Sequence, residues 1–145
     1  MKTNGGFLVT KIKQLGDSIF ERILAEKNID AFNGAQGRIL YVLWQEDGVP
    51  IKIISEKSGL AITSLTTMLE RMEKNGLISR KTDEADKRKT LLFLTDKAKE
   101  LKEAYDSVSN EMGNIYYRDF TDKEILQIEE YLNRIRVNLE EWSDK

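Results

Sequence analysis

The hydrophobic period of this sequence changes at Gly76, and that change limits the folds open to it. Before Gly76 the apolar residues step by three and four, as in Leu8, Ile12, Leu15, Ile19 and Ile23, and again in Ile62, Leu65, Leu69 and Met72. Between those stretches, positions 39–44 are apolar all round, as in a helix buried at the centre of a core. After Gly76, runs 77–82 and 90–95 read as strands on either side of the polar loop 83–89. One hairpin set among amphipathic helices predicts a mainly α fold with a small β-hairpin wing.

Local signals place the elements. Asn33 and Gln36 have the spacing of a capping box, so a helix opens there, and Gly48 ends it. Pro50 starts a short segment carrying Ile51, Ile53 and Ile54, and Gly59 falls where a tight turn belongs. A second short helix follows from about Thr63 to Asn75, with Ile62, Leu65, Leu69 and Met72 on its buried side and Gly76 closing it. Thr95 caps a helix with Ala98, Leu101, Tyr105, Val108, Met112 and Ile115 in register. Thr121 and Glu124 form a further capping box ahead of Ile125, Ile128, Leu132, Ile135, Leu139 and Trp142. These last two rows are narrow seams on highly charged helices, and such seams want a partner helix. One chain of this size cannot bury both, so Tyr105, Val108, Met112, Ile128, Leu132, Ile135 and Leu139 predict a two-fold homodimer.

Composition removes several kinds of chemistry. With no cysteine and no histidine there is no thiolate nucleophile, no imidazole base, no thiol redox switch and no Cys- or His-based metal site. Adjacent carboxylates such as Glu129 and Glu130 diverge by about 100° on a helix, so they do not converge on one substrate. No phosphate-binding glycine loop is present. An enzyme, a cofactor and a metal are therefore not expected. The apolar run 39–44 is far shorter than the roughly 20 residues that span a bilayer, and Met1 to Gly6 lacks the apolar stretch of a signal peptide. A cytoplasmic protein without membrane contact is expected. The net charge of −2 conceals an asymmetry: residues 51–97 carry 10 basic and 7 acidic groups, and residues 98–145 carry 7 and 12. A polyanion would meet the middle of the chain.

Helix, glycine turn, helix and hairpin is the order of a winged helix-turn-helix, whose second helix enters the major groove of double-stranded DNA while the hairpin touches the flanking backbone or minor groove. With Leu65, Leu69 and Met72 inward, Thr63, Ser64, Thr66, Thr67, Arg71 and Lys74 lie outward or lateral, where short hydroxyls approach phosphates and base edges closely. Lys87, Arg88 and Lys89 crowd the hairpin tip, where a cation fits a narrow minor groove. Each part alone has a plainer reading. Thr63 and Ser64 also suit a helix cap, and Asp83, Glu84 and Asp86 offset much of the tip's charge, as in a solubilising loop. A winged helix used for protein contacts is the alternative to DNA binding.

The sequence resembles the MarR family of bacterial transcriptional regulators. Residues 36–43 resemble its second helix and 64–78 its recognition helix and first wing strand. The most specific piece is Arg80, Asp83, Asp86-Lys87-Arg88 and Leu94-Thr95, which is similar to the family's wing motif and the start of its next helix. The resemblance implies that Arg88 reaches the minor groove, that Arg80, Asp83 and Asp86 support the wing, and that Leu8, Ile12 and Leu15 join the last two helices in the dimer. The chain then divides into a dimerisation helix (1–32), a DNA-binding lobe (33–97) and dimerisation helices (98–145). Such regulators, repressors among them, respond to small aromatic or anionic effectors, for which Tyr41, Trp44, Tyr105 and Tyr116 are the candidate lining. Ile62 and Thr67 stand where many members carry charged or basic residues, which turns the expected contacts toward hydroxyl and methyl groups.

Overall fold

Helix α1 (Gly5–Glu26) opens the chain in the computed structural model, which describes all residues from Met1 to Lys145. Its C-terminal half buries Ile23 and Leu24, while Phe7, Leu8, Val9, Ile12 and Leu15 are exposed. Asn33 accepts from the Gln36 amide at 2.8 Å, and its own N–H donates to Gln36 Oε1 at 3.1 Å. This reciprocal pair satisfies two amides that helix geometry leaves open, and so fixes the start of α2 (Gly34–Gln45). Ile39, Leu40, Val42 and Leu43 of α2 are buried at the centre of the core.

Strand β1 (Val49–Pro50) leads directly into α3 (Ile51–Ser58), with Pro50 as the N-cap residue. A left-handed Gly59 (φ 74°) then turns the chain toward α4 (Ile62–Lys74), a conformation glycine adopts without steric cost. Side chains fasten the turn: Ser55 Oγ donates to the Leu60 carbonyl at 2.7 Å, and the Leu60 N–H donates to Ser58 Oγ at 3.2 Å. Beyond left-handed Gly76, β2 (Ile78–Thr82) and β3 (Thr90–Leu94) pair antiparallel, Ile78 opposite Leu94 and Thr82 opposite Thr90. Ile54, Leu65, Leu69, Met72, Leu77, Ile78 and Leu92 close one core beneath the helices and sheet.

Three expectations need correction. The hairpin is part of a three-stranded sheet, because Val49 pairs with Leu92 and Pro50 with Leu91 on the other edge of β3. Pro50 lacks an N–H and suits an edge strand. The helix expected to run from Thr95 without a break is divided into α5 (Asp96–Lys99) and α6 (Lys102–Tyr116). Trp44 Nε1 donates to the Ala98 carbonyl at 3.2 Å, and the Leu101 amide closes on the same oxygen at 3.1 Å. The acceptor that a continuous helix offers to residue 102 is thus already engaged. Finally, Ile62 is 48% exposed, because it begins α4 ahead of the core that receives Leu65.

Two compact units make up the chain, residues 1–110 and 111–145, so α1 belongs with the winged lobe in the first. In the second, α7 (Asp122–Ser143) starts at a capping box in which Thr121 Oγ1 accepts from the Glu124 amide at 3.2 Å and Glu124 accepts from the Thr121 amide at 2.8 Å. Tyr117 donates to Glu129 Oε2 on α7 at 2.8 Å. No residue of α7 is buried, and its apolar row runs exposed from Ile128 through Leu132, Ile135 and Leu139. No helix of the chain is long and apolar enough to cross a membrane.

Candidate nucleic-acid interface

Helix α4 carries its three core residues on one side and leaves Thr63, Ser64, Thr66, Thr67, Arg71 and Lys74 exposed on the other. Ala61 is its N-cap residue and no side chain caps it, so Thr63 and Ser64 do not serve as caps. Thr66 Oγ1 donates to the Ile62 carbonyl at 3.1 Å. The hydroxyls of Thr63, Ser64 and Thr67 make no internal hydrogen bond, so they remain able to donate and accept outside the protein. Arg71 and Lys74 stand in the last turn, where cations also complement the helix dipole. Ile62 belongs to this face too. Its three-residue step to Leu65 matched the buried row, and only the position of the core against the first turn separates the two.

The wing loop is held by its own carboxylates. Asp83 Oδ1 accepts from the Ala85 amide at 2.9 Å, the Asp83 amide donates to the Lys89 carbonyl at 3.0 Å, and the Lys89 amide donates to the Asp86 carbonyl at 2.9 Å. Asp86 takes Arg88 in a forked pair, Nε at 3.0 Å and Nη2 at 3.2 Å, and also accepts the Arg88 amide at 3.1 Å. These Arg88 bonds, those of the side chain first and that of the backbone second, hold the Asp86 carboxyl below its ordinary pKa. The Arg88 side chain is nonetheless 91% exposed, a planar cation projected from a fixed base. Lys87 and Lys89 flank it, exposed and without an ion-pair partner. Arg80 acts elsewhere: its Nε lies 3.3 Å from Glu73 Oε1, tying β2 to the end of α4. Sequence spacing did not single out Glu73, since the pair depends on how the strand leaves the helix.

Three of the four residues expected to line an effector cavity come together, in a packed aromatic cluster. The Tyr105 ring lies 5.3 Å from Trp44, 5.8 Å from Tyr41, 5.9 Å from Phe20 and 6.1 Å from Phe32. A Cβ on Gly37 would come within 3.1 Å of both Phe32 and Tyr105, so the helix backbone itself closes on the rings. Burial pushes the Tyr105 phenol pKa up. Tyr116 packs instead on Tyr117, at 6.1 Å. The packing also corrects part of the expected dimer seam. Tyr105 is enclosed by these rings, Val108 is fully buried and Met112 is nearly so, which leaves the three little surface to offer another chain. Leu8, Ile12, Leu15, Ile128, Leu132, Ile135 and Leu139 keep theirs.

No group of three His, Cys, Asp or Glu side chains is placed to hold a metal ion. The sequence profile of the MarR family matches residues 32–90, the segment that builds α2 through the start of β3. HTH-type transcriptional regulator TtmR of Methylorubrum extorquens (strain PA1) is 36% identical over 77 residues, which are 53% of this chain and 40% of that protein. A MarR variant from E. coli, solved in complex with operator DNA, superposes with a TM-score of 0.79 at 21% identity, covering 90% of this chain and 91% of that one. Bordetella bronchiseptica BpsR, studied for the regulation of its DNA binding by 6-hydroxynicotinic acid, gives 0.82 at 19% identity, over 92% and 99%. The matched proteins are regulators and not enzymes. The winged lobe and its wing motif agree with the family profile, and over residues 32–90 the chain is similar to the MarR family.

Proposed function

We propose that this protein is a sequence-specific DNA-binding transcriptional regulator, a repressor that occupies a pseudo-palindromic operator as a homodimer. The observation that carries the reading is the exposed face of α4. Three hydroxyls there have no internal partner, the helix ends in Arg71 and Lys74, and the wing adds Lys87, Arg88 and Lys89. Hydroxyls and cations in that order suit phosphates and base edges of the major groove, and a guanidinium on a rigid tip suits a narrow minor groove. The apolar rows of α1 and α7 support the dimer, since they are exposed in one chain and a two-fold partner would cover them. Two recognition helices about 34 Å apart then meet successive major grooves. Release by a small aromatic or anionic ligand completes the reading, supported by the regulation of BpsR. Such a ligand must bind the free and the DNA-bound conformations with different affinity.

Retention on random duplex DNA at two salt concentrations tests the proposal. DNA binding through these cations releases condensed counterions, so retention falls steeply with salt. Weak retention that salt leaves unchanged would favour a winged helix used for protein contacts.

A further inference from the structure

The exposed face of α4 is not uniform, and its apolar part lies outside the buried core. Ile62 is half exposed at the first position of the helix, and Thr66 lies one turn further along the same side. Because Thr66 Oγ1 donates to the Ile62 carbonyl, its hydroxyl proton is already engaged, which leaves its methyl group and an accepting oxygen for contact. Glu70 follows one turn later, exposed and without an ion pair, and Glu73 lies on the same side, paired with Arg80 of β2, so this side of the helix itself carries two carboxylates and no cation. It would repel a phosphate. The neighbouring side, Thr63, Thr67, Arg71 and Lys74, has the groups a phosphate needs. In the major groove the one apolar group on a base edge is the C5-methyl of thymine.

The geometry points to Ile62, with the Thr66 methyl, as a specificity-determining contact that reads thymine methyl groups in the operator. This rests on the DNA-binding reading above and adds to it which base chemistry the helix selects.

The test uses a duplex chosen by the full chain from a random pool and resynthesised with deoxyuridine in place of each thymidine in turn. That replacement removes the methyl and keeps every hydrogen-bonding group. At one or two symmetry-related positions the change should weaken wild-type binding by about fourfold, the equivalent of one buried methylene. Ile62→Ala should weaken binding to the thymidine duplex by a similar factor and no longer distinguish uracil from thymine, with only a small fall in melting temperature because the side chain lies outside the buried core. Thr66→Val keeps the methyl and should retain both affinity and uracil sensitivity. Wild-type indifference to uracil at every position, or an Ile62→Ala protein as uracil-sensitive as wild type, would overturn the inference and leave DNA binding standing. Failure to bind any duplex in a salt-dependent way would instead overturn the reading on which it rests.

Discussion

Helices α4 and α7 have the same hydrophobic spacing and opposite fates. Leu65, Leu69 and Met72 of α4 are fully buried, whereas α7 buries nothing and leaves Leu132 and Ile135 about half exposed. The period of an apolar row shows that a helix needs a partner and says nothing of which chain supplies it. In α4 the partners are α3, β2 and the core beneath them. For α7 the proposed partner is a second copy of the chain. Val108 of α6 shows that the rule works in both directions, since a row that looked like a seam was satisfied from within.

The two fates call for two substitutions with different readouts. Leu69→Ala removes a fully enclosed side chain and should destabilise the lobe by about 2–5 kcal/mol, read as a lower denaturant midpoint with an unchanged slope. Leu132→Asp places a charge on a surface that one chain leaves open, so secondary structure should persist while the assembly dissociates. Light scattering should then fall from about twice 16.8 kDa to 16.8 kDa. A Leu132→Asp protein that still scatters as a dimer would erase the contrast between the helices.

What the sequence disclosed, and what it withheld, follows the range of the interactions. Asn33 with Gln36 and Thr121 with Glu124 were readable because each box closes over three residues. The wing motif was readable for the same reason, with Asp83, Asp86 and Arg88 bonded inside one loop. Strand β1 was not, because two residues have no period and their pairing with Leu91 and Leu92 crosses more than forty positions of chain. The division of α5 from α6 was equally hidden, as it depends on an indole donated to Ala98 from Trp44. On the candidate interface the outward hydroxyls were evident from the inward leucines. The exposure of Ile62 was not, since spacing cannot say where a core ends.

A smaller effect separates the wing from the lobe that supports it. Arg88→Ala should weaken operator binding and reduce the salt slope by about one for each wing that loses its contact, with the melting temperature unchanged because that side chain is almost wholly in solvent. A fall in stability as large as that of Leu69→Ala would mean that the Asp86 pair serves the fold, and the wing could no longer be contrasted with the core.

The smallest expected effect lies in the second unit, where a polar tie does part of what buried leucines do in the first. Tyr117 donates its phenolic proton to Glu129, and its pKa is pushed up to about 12 from the ordinary 10, by burial first and then by the hydrogen bond and charge of Glu129. The folded state therefore holds this proton through a range in which the unfolded chain has lost it. Stability from the tie is complete below about pH 10 and is lost as pH rises through about 12. The hydrogen bond to Glu129 lies at the surface, so the loss should be a slight one. Spectrophotometric titration of the five tyrosines should show one phenol near pH 12 that disappears in Tyr117→Phe. Glu129→Gln should move it toward 10, because the acceptor remains while the charge is gone. The melting temperature of the wild type should approach that of Tyr117→Phe as pH is raised from 10 to 12. Parallel melting curves for the two proteins across that interval would show that the tie contributes nothing, and that the second unit depends on apolar contact as fully as the first.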